Sequence, residues 1–324
     1  MKFNERLFKE QHMRLNARTI IAAVLGLLVF IVTSNASAQE KREIEIGANY
    51  VAALGDLHWA FAHKDGPLGD PASTIDWTDL TTHIGEVYLQ FSNPTGFYAK
   101  AVAGQGLLTE GLMTDRDFFQ RQYKWSDMSS KSVSGGTNYA LVDLGYTKHI
   151  NGQWRVIAFG GYHYWREDVT SFGLIDNLYP NANPDLAQLD DQKVIRYETT
   201  WHAFRLGGGS GFTITDRWSL DVEWAFVPKA GMLNEDSHFL RTSRSDLGPV
   251  PNVLSHSSQG AGREVQANVG YRFPKNFQTT FGIRYWKLRA TEGLTEFGPD
   301  FGNALLRLEE SRQVGLLVGI KKTF

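Results

Sequence analysis

The sequence lacks cysteine altogether, which excludes a disulfide framework and thiolate chemistry. An excess of one charge is also lacking, since 33 Lys and Arg residues stand against 35 Asp and Glu residues and the formal net charge is −2. A chain so close to neutral gives no indication of a nucleic-acid partner. Beyond residue 32, no apolar run approaches the roughly 20 residues that a membrane-spanning helix needs.

The N-terminal residues have the pattern of an export signal. Basic residues precede an apolar run from Ile20 to Val32, and Ala36-Ser37-Ala38 supplies a small-residue cleavage site. The apolar run is too short for a spanning helix of about 20 residues, so a membrane anchor is the weaker interpretation. We predict a signal peptide over residues 1–38, starting at Met1 or Met13, and a single mature domain over residues 39–324.

Aromatic residues and glycine are abundant, at 13% aromatic residues and 32 glycines. Such a secreted chain is compatible with a soluble β-protein and with an outer-membrane barrel. The C-terminal residues favour the barrel, because residues 314–324 alternate between two faces and end in Phe324. Similar alternation recurs over residues 218–226, 265–273 and 277–285. The face with the aromatic residues is predicted to meet lipid and the face with the charges to line the lumen.

Short turns and long polar connections alternate along the chain. The short turns are predicted at residues 93–96, 151–152, 215–217 and 274–276. The long connections are predicted at residues 55–82, 105–136, 167–194, 229–262 and 289–308. This order predicts an all-β fold, a closed antiparallel transmembrane barrel of ten strands with periplasmic turns and extracellular loops. Inward-facing charges are expected to pair across and fill its narrow lumen, namely Asp143, Asp221, Glu223, Arg272 and Arg284.

Two short runs place ionisable groups two residues apart. In an extended chain, Asp236 and His238 point the same way, and so do Asp115 and Asp117. Such pairs also occur by chance in solvated loops. Both runs fall in long connections at the same end of the predicted barrel, where they can face each other across a groove.

At several landmarks the sequence resembles the omptins, ten-stranded outer-membrane endopeptidases of Gram-negative bacteria. The landmarks extend from about Ile44 to Phe324 and comprise Ser73-Thr74-Ile75-Asp76-Trp77, Gly111 to Phe118, Gly161 to Arg166, Asn234 to Phe239 and Lys322-Thr323-Phe324. The resemblance implies that Asp115 and Asp117 form a catalytic couple and that Asp236 and His238 form a catalytic dyad. It implies hydrolysis by an activated water, without a covalent intermediate and without a metal or other cofactor.

The residue chemistry is compatible with those roles. A histidine with an ordinary pKa of about 6.5 can accept a proton near neutrality, and Asp236 would orient its ring. Repulsion between Asp115 and Asp117 should raise the pKa of one carboxyl, so that the pair shares a proton. Zinc is not expected, because no second His or Cys lies at ligand spacing near His238.

Two features of the family transfer only in part. The resemblance implies two acidic residues in a pocket for basic side chains, but one of these positions is Asn234, and the other falls on Asp56. It also implies that activity requires lipopolysaccharide, bound through Tyr162 and Arg166, although Tyr164 stands where the family has an acid and the second arginine expected near Thr200 is missing. The alternative for Tyr162 and Arg166 is an interfacial aromatic residue and a snorkelling charge.

The leading hypothesis is therefore a monomeric outer-membrane endopeptidase whose groove faces the cell exterior and cuts extracellular proteins or peptides. Lipopolysaccharide in the outer leaflet is its expected lipid partner. The alternative is an omptin-like barrel without enzymatic activity, serving as an adhesin or structural protein. A diffusion channel is a third possibility, against which the charged residues predicted for the lumen argue.

Overall fold

The computed structural model describes residues 42–63, 69–119, 123–130, 132–177, 189–298 and 302–324. The predicted signal peptide, residues 1–38, lies outside these ranges. Within them, no helix is long and apolar enough to cross a membrane.

Ten long antiparallel strands form a closed barrel. They are β1 (Glu43–Ala62), β2 (Ser73–Ser92), β3 (Phe97–Phe119), β5 (Ser132–His149), β6 (Trp154–Phe172), β8 (Lys193–Thr213), β9 (Trp218–His238), β10 (Val253–Arg272), β11 (Phe277–Ala290) and β13 (Asn303–Thr323). Each pairs with the next in this order, and β1 pairs with β13 to close the sheet. Three short strands extend the sheet at one end, namely β4 (Tyr123–Ser130), β7 (Asp176–Asn177) and β12 (Gly293–Phe297). The predicted ten-stranded barrel is confirmed.

The four predicted short turns lie together at one end, which we call the turn end. The strands there are joined by residues 93–96, 150–153, 214–217 and 273–276. Asn93 shows how tight such a turn is: its carbonyl accepts a hydrogen bond from Gly96 N (3.0 Å), and its side chain accepts one from Phe97 N (2.8 Å). Gly96 has a φ of 94°, a conformation that favours glycine. The start of β1 and the end of β13 pair at this end as well.

The opposite end, which we call the rim end, differs from the prediction. Much of the sequence predicted as long loops is strand: residues 55–62 belong to β1, residues 73–82 to β2 and residues 229–238 to β9. The connection from β9 to β10 spans only residues 239–252. The prediction failed because the outer faces of these strands are polar beyond the apolar belt, although side chains such as Trp59 and Trp77 are buried inside the barrel. Polar residues there therefore do not mark a loop.

Exposed apolar side chains form a belt around the half of the barrel nearest the turn end. Examples from neighbouring strands are Ile46, Tyr50, Leu54, Phe281, Ile283, Leu316, Val318, Ile320, Trp224, Phe226, Phe204 and Leu206. This belt corresponds to the face predicted to meet lipid.

The lumen inside the belt is filled by ion pairs. Arg284 Nη1 lies 2.6 Å from Glu86 Oε2, and Lys100 Nζ lies 2.6 Å from Glu223 Oε2. Arg205 bridges Asp143 (3.3 Å), Glu223 (3.1 Å) and Glu264 (3.2 Å), while Arg155 pairs with Asp221 (2.9 Å). Four of the five charges predicted to pair in the lumen do so. Arg272 instead is exposed at the turn end.

Aromatic side chains close the lumen further toward the rim end. The ring of Trp286 lies 4.9 Å from His163, 5.7 Å from Trp165 and 4.7 Å from Tyr139. The Arg284 guanidinium stacks over the same indole at 4.7 Å. The cluster separates the ion pairs from the rim-end half of the barrel, so the described barrel encloses a packed core.

Two β-bulges reverse the inward and outward faces of β3 and β9. In β9, Trp224 and Phe226 are more than half exposed, so strict alternation would turn Asp236 outward too. Pro228 lies in an irregularity where Lys229 pairs with Phe204 but Phe226 pairs with Leu206. This extra residue shifts the phase, and Asp236 is fully buried.

The bulge in β3 acts in the same way. Thr109 is the extra residue, because Glu110 pairs with Thr81 while Leu108 pairs with Thr82. On the turn-end side of the bulge, Leu107 lies on the outer face and is 68% exposed. On the rim-end side, Asp115 is only 2% exposed, although residues 107 and 115 would share a face in a regular strand. Both ionisable runs therefore face the barrel interior only because their strands are bulged.

Candidate active site at the rim end of the barrel

The Asp-His pair lies at the end of β9. Asp236 Oδ2 and His238 Nε2 are 3.0 Å apart, and both residues are buried. The contact through Nε2 leaves Nδ1 as the nitrogen that can exchange a proton with a substrate. Asn252 fixes the backbone of His238, accepting a hydrogen bond from its N–H (2.9 Å) and donating one to its carbonyl (3.2 Å).

The Asp-Asp pair lies on β3. Asp115 is 2% exposed, and its Oδ1 has no hydrogen-bond partner within the described part of the chain. Ser126 Oγ, on β4, donates a hydrogen bond to Asp117 Oδ2 (2.9 Å). The short strand β4 thus supplies a donor that orients one carboxylate.

The barrel brings the two pairs together from distant strands. Between β3 and β9, the barrel order has three strands on one side and five on the other. Asp117 and His238 nevertheless line one cavity of about 210 Å³ at the rim end. The charges of His238 and Asp236 both act on the carboxyl of Asp115. All four residues predicted from the sequence therefore converge on one site.

Two groups of the site titrate near neutrality. Burial and then the charge of Asp117 raise the pKa of Asp115 to about 7, although the positive charges of His238 and Arg241 oppose this shift. Burial lowers the pKa of His238, but the charge and hydrogen bond of Asp236 outweigh it and raise that pKa to about 8. The arrangement can therefore hold and transfer protons between pH 7 and 8.

Two further carboxyls lie beneath the dyad, and sequence reasoning missed them. Tyr197 Oη donates a hydrogen bond to Glu309 Oε1 (2.5 Å), and Glu309 is fully buried. Burial raises the pKa of Glu309 and of Glu167 to about 8, so both are mainly protonated at neutral pH. The charge of Asp236 adds to the shift of Glu309. Neither glutamate belongs to a motif, so the sequence carried no signal for them.

The expected substrate-binding residue Asp56 does not reach this site. It lies on the outer wall of β1, where Arg312 Nε donates a hydrogen bond to its Oδ2 (3.0 Å). Asp56 has the parity of the exposed residues Tyr50 and Leu54, and β1 has no bulge below it to turn it inward. The expectation that Asp56 lines the groove is corrected accordingly. Asn234, by contrast, is fully buried, and its Nδ2 donates to Glu198 O (3.3 Å).

The predicted lipid-binding residues lie on the outer wall of β6. Tyr162 is hydrogen-bonded to His202 Nδ1, and Arg166 forms an ion pair with Glu198 (2.7 Å). Glu198 also accepts from Arg196 (2.8 Å). The positive charge of Arg166 is therefore partly neutralised within the protein.

The described residues include no group of three or more His, Asp or Glu side chains placed to hold a metal ion. Ser126 and Asn252 also escaped sequence reasoning, because each acts on a residue that only the folded sheet brings near it.

The sequence profile of the outer membrane protein beta-barrel domain matches residues 22–273. A search of curated protein sequences found no match. Among solved structures, the outer membrane protease OmpT from Escherichia coli has a TM-score of 0.69 at 12% identity, covering 89% of this chain and 98% of that one. The translocator domain of the autotransporter NalP from Neisseria meningitidis has a TM-score of 0.35 at 10% identity, covering 95% and 98%.

Proposed function

Because the chain belongs to the outer membrane protein beta-barrel domain family, we propose that it is an omptin-like endopeptidase that hydrolyses peptide bonds at the rim end of its barrel. The observation that carries the proposal is the buried Asp236–His238 pair, of which His238 lines the same cavity as Asp117. The fold of the Escherichia coli protease supports it, since that protein is named for the same activity. A fold alone does not determine function, so the proposal rests on the side chains of Asp236, His238 and Asp117.

The proposed reaction uses water as the nucleophile. Asp115 and Asp117 hold the water and keep one proton between them, and Asp115 Oδ1 is available for this contact. His238 accepts a proton from the water as its oxygen bonds to the carbonyl carbon. The C–N bond then breaks, and His238 returns the proton to the departing amine. Asp236 stabilises the imidazolium between these steps.

Activity is tested with single substitutions in the refolded full chain. Asp236→Ala and His238→Ala should each abolish cleavage of a peptide library, because they remove the base or the group that orients it. His256→Ala and Asp216→Ala are matched controls, since both residues are exposed and lie outside the site. Refolded wild-type protein that cuts no peptide in the library would eliminate the enzymatic proposal and favour a non-enzymatic surface barrel.

We further propose that the rim end faces the cell exterior, because short turns in such barrels are periplasmic. The chain has no cysteine, so single cysteines report the orientation directly. A membrane-impermeant maleimide should label Ser245→Cys at the rim end of intact cells and leave Asp216→Cys at the turn end unlabelled. The reverse pattern would overturn the orientation.

Lipopolysaccharide is proposed as the lipid partner of Tyr162 and Arg166 on the outer wall. Arg166→Ala should raise the lipopolysaccharide concentration needed for activity, because it removes a cation that can bind phosphate. An unchanged requirement would contradict the assignment. The ion pair with Glu198 predicts a modest effect for this single change.

A further inference from the structure

The cavity beside His238 and Asp117 is lined mainly by apolar side chains. Large apolar side chains make up much of its surface, namely Trp59, Phe61, Leu247, Val253 and Phe297, and His63 stacks on Phe297 at 6.2 Å. Trp59 is held by a hydrogen bond from its Nε1 to Ser255 Oγ (3.0 Å). The ring of Phe61 packs at 5.2 Å from Trp59 and at 4.8 Å from Phe297. These contacts preorganise an aromatic wall.

The charges around the cavity do not suit a basic side chain. Asp117 is the only carboxylate among its described lining residues, and Ser126 already donates to it. Arg241 lines the same cavity and forms an ion pair with Asp246 (2.8 Å). Asp56 lies on the outer wall, and the buried side chain at position 234 is a neutral amide. A lysine or arginine entering the cavity would lose its hydration without gaining an acid of its own.

The volume suits a ring or a branched aliphatic chain. A protein cavity of about 150 Å³ accommodates benzene, and this one measures about 210 Å³. Edge-to-face contacts with Phe61 and Phe297 would favour an aromatic occupant further.

Resting on the proposed endopeptidase function, we propose that this cavity binds a large apolar side chain, aromatic or leucine-like, next to the scissile bond of the substrate. The enzyme then selects apolar residues at that position and discriminates against Lys and Arg. Its selectivity comes from the cavity walls, whereas its chemistry comes from the four ionisable residues.

The test uses peptides that differ at one position on either side of the scissile bond, carrying Phe, Leu, Ala, Arg or Lys. We expect kcat/KM to be at least 10-fold higher for Phe and Leu than for Arg and Lys. Phe297→Glu should lower the rate for the Phe peptide and raise it for the Arg peptide, because it adds a carboxylate to the wall. Phe273→Ala, a matched aromatic truncation at the turn end, should leave the ratio unchanged.

A binding measurement separates this inference from the proposed function. The inactive Asp236→Asn variant should bind the Phe peptide at least 10-fold more tightly than the Arg peptide in calorimetry, and Phe297→Ala in that background should remove the preference. Cleavage with equal or greater rates for Arg and Lys would overturn the inference and leave the endopeptidase standing. Absence of cleavage with selective binding of the Phe peptide would overturn the endopeptidase and leave the cavity's selectivity standing.

Discussion

At the scale of single residues, the proposed chemistry depends on two groups, Asp115 and His238, whose pKa values are both raised into the range near neutrality. Asp236 raises the pKa of His238 to about 8, and burial beside Asp117 raises the pKa of Asp115 to about 7. The proposed mechanism needs His238 neutral and one proton on the aspartate pair. Only a small fraction of the protein molecules has both properties at once, because His238 holds its proton more tightly than the aspartate pair does.

The expected pH dependence follows from these signs. As pH falls below about 8, His238 becomes protonated and cannot act as the base, and as pH rises above about 7 the aspartate pair loses its proton. The profile of kcat/KM should therefore be a bell with its maximum between about 7 and 8. The limbs belong to the coupled cluster and not to single residues. A maximum near pH 5, or a flat profile from pH 6 to 9, would contradict the proposed roles.

Glu309 and Glu167 predict a second pH effect, on stability. Their pKa values in the folded chain, about 8, exceed the ordinary 4.5, so the folded state binds more protons between those values. Stability should then fall as pH rises from 4.5 to 8, by an amount on the order of a few kcal/mol for each buried carboxyl.

The double variant Glu309→Gln, Glu167→Gln tests this effect, because amides keep the shape of the neutral acids. Its midpoint of urea unfolding in micelles should resemble that of the wild type at pH 5 and exceed it at pH 9. Asp216→Asn, in an exposed turn, is the control and should leave both midpoints unchanged. Equal midpoints for wild type and double variant at pH 9 would show that the carboxyls are not held neutral.

Residue spacing singled out Asp115, Asp117, Asp236 and His238, and the structure brings them to one site. Spacing could not identify Ser126, Asn252 or Glu309, because their partners come from other strands or connections and carry no fixed offset in the sequence. Asp56 was placed wrongly for a related reason. A shift of one residue in a strand changes the face to which a side chain points.

At the scale of elements, alternation and turn residues predicted the barrel strands and all four turns, whereas the strand ends at the rim end were missed. The bulges were missed too, although they decide what the rim presents. The residues Thr109 and Pro228 do not by themselves show that the inward and outward faces of the strand exchange. The extra residue is recognised only from the pairing register with the neighbouring strands.

Maleimide labelling of single cysteines can show which residues of β9 point inward on the rim side of its bulge. Asn234→Cys should be protected from a bulky maleimide because residue 234 is fully buried, while Glu235→Cys on the opposite face should react faster. A strand without the bulge would give the opposite order. Deletion of Pro228, the extra residue of the bulge, is expected to reverse the labelling and abolish activity. Retention of the original order after that deletion would contradict the phase argument.

At the scale of the whole molecule, ion pairs and aromatic rings fill the barrel between the turn end and the rim end. Breaking one pair should be costly, because the remaining charge stays buried. Arg284→Ala leaves Glu86, which is 4% exposed, without its cation.

We expect Arg284→Ala to lower the free energy of unfolding by about 3–5 kcal/mol, measured by urea titration in micelles. The double variant Arg284→Met, Glu86→Gln should be more stable than Arg284→Ala and recover most of the lost free energy of unfolding, because it contains neither buried charge. In planar bilayers the wild-type protein should show no steady open state. A constant conductance would contradict the packed lumen and revive the diffusion channel.

The bulges at Thr109 and Pro228 have an evolutionary and practical consequence. In β3 and β9 they separate the lipid-facing part of the strand, the stem, from the water-facing part, the crown, and residues of opposite parity point inward in the two parts. Substitutions in the crown are therefore free of the demands that lipid imposes on the stem. Exchanging crown segments between barrels should succeed when the cuts are made at these bulges, and should turn the transplanted residues inside out when they are not.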